Sequence, residues 1–313
     1  MALGTLCARS LRRAASLGAG RFQARVPGSR ITWPGAGFAL AETRLRSSAA
    51  VRSETTDDTF EPELIIFDKD GTLIDFKFMW GKWAHNLCDR LELAGHLDGF
   101  HMPHFNKALG YDRATGAVDS RSPLCCTPMH EIESICVDAI ASLKGLERHV
   151  AQHALASVWT MPDPVADTRE LTDLKLLFKF LNDDLGLKIA VCTTDDRDVT
   201  TATLRLLGVA DRVDAMLCGD DRHVPPKPSP EQIFHICDQL GVDPANTIMV
   251  GDTITDMSMA RRARVGMSIG IPNGAGSHED LINHADIVLP SMNNFARLAS
   301  QISGPRYRSL MSL

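Results

Sequence analysis

Residues 64–72 read LIIFDKDGT, an apolar run that is followed at once by two acids around a lysine. Four consecutive large apolar residues suit a strand buried on both faces, as in the middle of a parallel sheet. Asp68 and Asp70 then stand at the carboxyl end of that strand, where open α/β sheets bind ligands. Taken alone, Asp70-Gly71 could equally be an ordinary turn that closes a strand. The stretch therefore predicts an α/β fold and marks a candidate site.

Two further apolar runs also end in polar clusters. Residues 187–192 lead into TTDD at 193–196, and residues 247–250 lead into GDT at 251–253. The rest of this region predicts helices near 198–207 and 230–240. It also predicts strands near 213–218, 266–271 and 285–289. This alternation predicts a Rossmann-like, mainly parallel sheet with helices. Because parallel strands end at one edge, the three polar clusters are expected to form one active site.

Residues 76–164 carry apolar residues at helical spacing and few strand signals. We interpret them as a helical cap domain inserted between the first and second core strands, with a loop at 109–128. The core is then residues 60–75 and 165–300, and 301–313 form a tail. A helical stretch at 167–181 returns the chain to the core. Four bulky aromatics enter the cap, and large aromatics more often serve packing than substrate contacts: Phe76, Phe78, Trp80 and Trp83.

The first 53 residues differ in charge from the rest of the chain. They hold nine Arg, no Lys and one acid, Glu42, which gives +8, so the remainder carries -14 of the total of -6. An Arg-rich, Ser-containing and acid-poor segment is typical of a mitochondrial presequence. We therefore expect residues 1–53 to be a transit peptide for the mitochondrial matrix, with a disordered basic tail as the alternative. The acidic remainder argues against nucleic-acid binding. No apolar run approaches the roughly 18 residues of a membrane span.

Cysteine and histidine patterns give no metal or disulfide framework. Seven cysteines follow the presequence without a CxxC pair, which predicts reduced thiols. His101 with His104, and His149 with His153, have spacings that permit metal binding. Since neither pair has a convincing third ligand nearby, we interpret them as surface or cap histidines.

The acids at the strand ends can carry chemistry. Of two neighbouring carboxylates such as Asp68 and Asp70, one can act as a nucleophile while the other carries protons. Asp252 and Asp256 add a second pair, and crowded carboxylates favour a cation such as Mg²⁺. The same pair could cap a helix, which is compatible with metal binding. Lys227, in a proline-rich segment, could neutralise a phosphate or be an ordinary solvated lysine.

Taken together, these motifs resemble the haloacid dehalogenase superfamily of phosphatases over about residues 64–298. DKDGT at 68–72 is similar to its first motif, Thr193 to the second, and Lys227 in KPSP to the third. Asp252 and Asp256, in GDTITD, are similar to the fourth. The subfamily resemblance is to phosphoglycolate-phosphatase-like members, which insert a helical cap between the first and second motifs.

The resemblance implies a phosphatase that acts on a small phosphorylated metabolite. Asp68 would attack phosphorus and become an aspartyl phosphate. Asp70 would protonate the leaving oxygen and then activate water. Thr193 would hydrogen-bond the transferring phosphoryl group, and Lys227 would balance its charge, as phosphoryl transfer requires. The presence of Asp70 argues against dehalogenation, whose enzymes lack that acid.

The same resemblance implies a magnesium site. Its ligands would be Asp68, the backbone carbonyl of Asp70, and Asp252, while Asp256 would orient Lys227 or a metal-bound water. In these families Mg²⁺ is the cofactor that phosphate transfer uses.

Two positions depart from the pattern, and two other functions remain open. Relatives commonly have Asn where this chain has Thr194, so the resemblance does not imply the contact that Asn makes in the phosphate pocket. Asp75-Phe76 replaces the more usual Asp-Ser at the entry to the cap. A phosphomutase of the same superfamily shares all four motifs. A non-catalytic binding or scaffold protein is the second alternative, although the intact motif set argues against it.

Overall fold

The computed structural model describes residues 60–302 and the backbone of a short antiparallel pair, Gln23–Val26 with Ser29–Thr32. Apart from that pair, the predicted presequence 1–53 lies outside the described residues. Residues 303–313 of the predicted tail do so as well. Within the described residues, no helix combines the length and the apolar character needed to cross a membrane.

A six-stranded parallel sheet forms the core. Its strands are β1 (Leu64–Phe67), β2 (Lys188–Cys192), β3 (Ala215–Leu217), β4 (Thr247–Gly251), β5 (Met267–Gly270) and β6 (Ile287–Val288). Their order across the sheet is β6-β5-β4-β1-β2-β3, and every pair is parallel. The central β1 and β4 are buried along their whole length, which explains why large apolar residues dominate both strands. The predicted α/β fold is confirmed.

Helices cover both faces of the sheet. On one face, Leu64 and Ile66 of β1 belong to a buried cluster with Ile233 and Met259 from two flanking helices. On the other face, the ring of Phe67 lies 5.5 Å from that of Phe178 and 5.4 Å from that of Phe295. The helices outside the insertion are α6 (Leu174–Lys179), α7 (Arg197–Leu206), α8 (Glu231–Leu240), α9 (Ile254–Ala263), α10 (His278–Ile282) and α11 (Phe295–Ile302). The strand ends therefore project from a packed three-layer core.

The insertion between β1 and β2 is mostly helical. After a π-helical turn at Lys77–Gly81 it contains α1 (Lys82–Leu93), α2 (Met102–Leu109), α3 (Pro123–Cys126), α4 (Met129–Lys144) and α5 (Arg148–Ala156). The predicted loop at 109–128 is wrong in part. It contains α3 and a small antiparallel ribbon that pairs Tyr111–Asp112 with Ala117–Val118.

Two predicted boundaries also shift. The stretch 167–181 becomes helical only at Leu174, because the Asp173 side chain accepts a hydrogen bond from the Leu176 N–H and starts α6 there. At the other end, α11 continues to Ile302, so the predicted tail does not begin at residue 301. The seven described cysteines are free thiols, as expected from their spacing.

Candidate active site

The carboxyl end of β1 places Asp68 beside a buried lysine. Lys227 reaches Asp68 from the segment before α8, and its Nζ donates to Asp68 Oδ1 at 2.6 Å and to Asp256 Oδ1 at 2.7 Å. The Lys227 side chain is only 2% exposed, so it is not a solvated loop lysine. The structure thus brings the first, third and fourth motifs together around one ammonium group.

Asp256 serves both this lysine and the start of α9. Its Oδ2 accepts hydrogen bonds from the backbone N–H and the hydroxyl of Thr253, at 3.1 and 2.6 Å. In return, the Thr253 hydroxyl accepts from the Asp256 N–H, which completes a capping box. Both oxygens of Asp256 are therefore engaged, and the side chain holds Lys227 in place.

A second buried lysine, Lys69, orders the neighbouring acid Asp70. Lys69 Nζ lies 2.7 Å from Asp70 Oδ1 and 2.9 Å from Asp195 Oδ2. The side chain of Lys69 is completely buried. Sequence reasoning treated Lys69 only as a spacer between two acids and missed Asp195. The signal that could have revealed this pair is the position of Lys69 directly after a buried apolar strand. Because lysine is rarely buried without a partner, that position indicates an acid nearby.

The second-motif threonine lies beneath the cleft rather than in its wall. Thr193 Oγ1 donates to Asp70 Oδ2 at 3.4 Å and accepts from the Asp195 N–H at 3.1 Å. Thr193 is 1% exposed, whereas the next residue, Thr194, lines the cleft. The departure from Asn at position 194 therefore lies directly at the candidate site.

Asp252 is buried under a turn of small residues. Its Oδ2 accepts from the Ala275 N–H at 2.8 Å. A Cβ atom at Gly274 would collide with the Asp252 carboxylate and with the Gly71 Cα. Gly71 itself has φ of +94°, a conformation that side chains rarely adopt. These glycines let two backbone segments close over the acid.

The site has the donors for a hard cation. Asp68, Asp252 and Asp256 each offer an oxygen, and these atoms lie within 4.8 Å of one another. Since both oxygens of Asp256 are engaged, the ligands fall to Asp68 and Asp252. Asp252 Oδ1 is buried with no hydrogen-bond partner among the described residues, as expected of an atom that would bind a metal ion. Mg²⁺ is usually held by one or two carboxylates and keeps several water ligands, which fits a pair of acids. The Asp70 carbonyl stays a predicted ligand.

Burial and crowding disturb the ionisation of these groups. Burial raises the pKa of Asp68 to about 7, although Lys227 pulls it down. Burial, and then the charges of Asp68 and Asp256, raise the pKa of Asp252 well above its usual value. Burial likewise raises the pKa of Asp195 to about 6, against the pull of Lys69. A bound divalent cation would relieve this repulsion.

The cleft above these acids is roofed by the insertion. Its upper walls are Phe76, Trp80, Leu124, Cys125, Thr127, Met129 and Ile132. The interpretation of the entry aromatics as packing residues agrees with the burial of Phe76 and Trp80, and both residues line the cleft as well. It is also right for Trp83, which packs edge-on against Trp80 and Trp159.

The predicted surface role of the histidine pairs agrees with the structure. His101 Nδ1 lies 2.7 Å from Asp98 Oδ1, and His153 Nδ1 lies 2.7 Å from the His149 carbonyl oxygen. Within residues 60–302, the group of potential metal-ligating side chains that converges on one point is the Asp68, Asp252 and Asp256 cluster.

Replacing Asp252 with asparagine should separate metal binding from folding. In metal-free protein we expect the variant to melt higher than the parent, because a buried, crowded carboxylate is removed. Millimolar Mg²⁺ should stabilise the parent by about 1–3 kcal/mol and the variant by little. Melting curves with and without Mg²⁺ measure this directly, with Asp238→Asn on exposed helix surface as the matched control. Equal Mg²⁺ stabilisation of parent and Asp252→Asn would contradict the assignment.

Replacing Lys69 with methionine should destabilise the protein strongly. The change leaves Asp70 and Asp195 facing each other without their shared ammonium group. Breaking a buried ion pair in this way typically costs about 3–5 kcal/mol. The exposed Lys107→Met is the control and should cost less than about 0.5 kcal/mol. Denaturant unfolding at neutral pH measures the free energy of unfolding of both variants. Equal losses of stability would contradict the pairing of Lys69 with Asp70 and Asp195.

Comparison with known proteins places the chain in a family. A family model described as haloacid dehalogenase-like hydrolase matches residues 62–264. The phosphoglycolate phosphatase of Neisseria meningitidis is 36% identical over 120 residues, which are 38% of this chain and 46% of the relative. That of Psychrobacter arcticus is 28% identical over 225 residues, 71% of this chain and 88% of the relative. The match to the Neisseria protein thus spans about half of its length.

Solved structures share the fold at low sequence identity. A predicted phosphoglycolate phosphatase from Haemophilus somnus superposes with a TM-score of 0.55 at 18% identity, covering 76% of this chain and 97% of the other. A haloacid dehalogenase-like hydrolase from Bacteroides fragilis gives 0.53 at 18% identity, with 75% and 100% covered. The sheet order, the helical insertion and the family match agree, and the chain belongs to the haloacid dehalogenase-like hydrolase family.

Proposed function

We propose that the protein is a magnesium-dependent phosphatase that hydrolyses a small phosphomonoester through an aspartyl phosphate on Asp68. The observation that carries this is the pairing of two carboxylates with two separate buried lysines at the cleft floor. Lys227 holds Asp68, and Lys69 holds Asp70. Each acid has its own cation and its own hydrogen bonds, which suits one nucleophile and one proton carrier.

In the first step, a carboxylate oxygen of Asp68 forms a bond to phosphorus as the bond from phosphorus to the alcohol oxygen breaks. Asp70 lies two residues away at the cleft floor and gives its proton to the departing oxygen. Lys227 stands at hydrogen-bond distance from Asp68 and offsets the charge that gathers on the transferring group. The alcohol leaves neutral, and the phosphoryl group stays on Asp68.

In the second step, water attacks the phosphorus of the aspartyl phosphate, and Asp70 takes a proton from it. The bond between phosphorus and Asp68 breaks, which returns the free carboxylate and releases inorganic phosphate. Thr193 donates to Asp70 Oδ2 and Lys69 to Asp70 Oδ1, so the acid is held for both steps. Since Thr193 is buried beneath Asp70, its contribution in this arrangement is to position that acid.

Asp68 and Asp252 are the side chains that would hold Mg²⁺. When bound, this ion neutralises phosphate charge and orients the phosphoryl group for in-line attack. The unpartnered Asp252 Oδ1 supports this assignment. Asp256 keeps Lys227 at hydrogen-bond distance from Asp68, so the lysine remains beside the nucleophile.

A phosphoester panel tests the proposal. The purified chain is incubated with para-nitrophenyl phosphate, 2-phosphoglycolate and several sugar phosphates, with Mg²⁺ or with a chelator. We expect inorganic phosphate to be released only with Mg²⁺. The relatives named phosphoglycolate phosphatase justify including 2-phosphoglycolate. Conversion of a sugar phosphate into its isomer without phosphate release would favour a mutase. No turnover of any ester would favour a binding protein.

We also propose that residues 1–53 direct the protein to the mitochondrial matrix. The support is the nine arginines against a single acid in this segment. A fusion of residues 1–53 to a fluorescent reporter should enter mitochondria, and a fusion with six of the arginines changed to glutamine should stay outside. A diffuse signal from the unmodified fusion would contradict the proposal.

A further inference from the structure

The roof and the floor of the cleft differ in chemistry. The roof consists mainly of buried apolar side chains from the insertion: Phe76, Trp80, Leu124, Met129 and Ile132. Its two other members are the hydroxyl residue Thr127 and the free cysteine Cys125, and neither is a cationic side chain. The roof therefore carries no charge where the alcohol part of a substrate would lie.

The floor supplies acids rather than extra cations. Asp70 and Asp195 line it, and the ammonium group in the wall is that of Lys227, which is already committed to Asp68 and Asp256. Lys69 is completely buried beneath the acids and pairs with both of them. A negative charge on the alcohol part would meet carboxylates below and hydrocarbon above.

Cations of the insertion that lie next to the roof in sequence are not among the residues that line the cleft, and Lys77 beside Phe76 is exposed. The Arg121 side chain is 71% exposed and pairs with Asp280. The His130 side chain is 41% exposed and lies near Glu131. Lys82 pairs with Asp167. Within the described residues of the cleft wall, no cation other than Lys227 is available to a carboxylate or a second phosphate on the substrate.

We infer that this site is selective for phosphomonoesters of neutral alcohols with an apolar body and discriminates against anionic alcohols such as glycolate. The inference rests on the proposed phosphatase function and names its substrate class. Burying an unpaired carboxylate costs far more than burying a methylene or ring of similar size. Phe76 and Trp80 offer flat apolar surface to such a body.

Matched esters test the selectivity. 4-Carbamoylbenzyl phosphate and 4-carboxybenzyl phosphate differ by an amide in place of a carboxylate, and 2-phosphoglycolate differs from its neutral amide in the same way. We expect kcat/KM with Mg²⁺ to favour each neutral member, by about 50-fold or more for the benzyl pair. Equal rates within both pairs, or a preference for the anionic members, would overturn the inference while leaving the phosphatase function intact. No hydrolysis of any ester would overturn both.

A charge reversal at the roof gives an independent check. Thr127 is half-buried in the wall, so Thr127→Lys adds a cation that can fold into the cleft. We expect it to shift the preference toward 4-carboxybenzyl phosphate by about tenfold or more. His130→Lys adds a lysine three residues further on, at an exposed position outside the cleft, and should leave the ratio unchanged. If both variants shift the ratio equally, the effect is general electrostatics and the inference fails.

Discussion

Asp68→Asn is expected to abolish turnover, with a loss of at least about 10⁴-fold in kcat. An amide oxygen at this position cannot form the acyl phosphate that the proposed first step requires. In the proposed mechanism the neighbouring acids have other tasks, because Asp70 carries the proton, Asp252 holds the metal and Asp195 pairs with Lys69. Steady-state phosphate release from para-nitrophenyl phosphate, with Mg²⁺, measures the loss.

The fold should survive this change. Burial raises the pKa of Asp68, so replacing the carboxylate by a neutral group of equal size removes an unfavourable charge. A melting temperature equal to or above that of the parent would show that inactivity is chemical. The exposed Asp238→Asn should be fully active and serves as the control. An Asp68→Asn variant that retains more than a few per cent of the parent rate would exclude Asp68 as the nucleophile.

The sequence predicts the core sheet well because its signals are local. The four residues of β1 are all buried and apolar, β4 carries three large apolar residues in a row among its five buried positions, and each strand is followed by acids. Parallel topology then brings Asp68, Thr193 and Asp252 to one edge without any knowledge of loops. The predicted ranges 198–207 and 230–240 also differ from α7 and α8 by at most one residue at each end.

The sequence does not predict what depends on long-range contacts. The Lys69–Asp195 pair joins residues that are 126 positions apart, and nothing local to Asp195 distinguishes it from Asp196. The roof of the cleft also depends on long-range contacts. Phe76 and Trp80 are buried and line the cleft at the same time, whereas the sequence analysis treated packing and substrate contact as alternatives. The ribbon at residues 111–118 is too short for a strand pattern to show.

Asp70→Asn is expected to separate the two chemical steps. An asparagine can keep the local contacts, since its oxygen can accept from Lys69 and its amide can donate to the Thr193 hydroxyl. It cannot exchange a proton with the alcohol or with water. General acid and base catalysis is typically worth about 10²–10⁴-fold, so both steps should slow by an amount in that range with ordinary alkyl phosphates.

A good leaving group should reveal the intermediate. With para-nitrophenyl phosphate the alcohol departs without a proton, so phosphorylation of Asp68 needs Asp70 little, while attack by water still lacks its base. We expect a burst of nitrophenol near one equivalent per active site, then slow turnover, and acid-stable label on the protein after rapid quench with ³²P-substituted ester. Asp195→Asn changes the other acid on Lys69 but leaves the proton carrier in place, so it should give no burst. Two outcomes would refute the role of Asp70: a steady-state rate in Asp70→Asn equal to that of the parent, or a burst of the same size in Asp195→Asn. In either case the acid that activates water would lie elsewhere in the cleft.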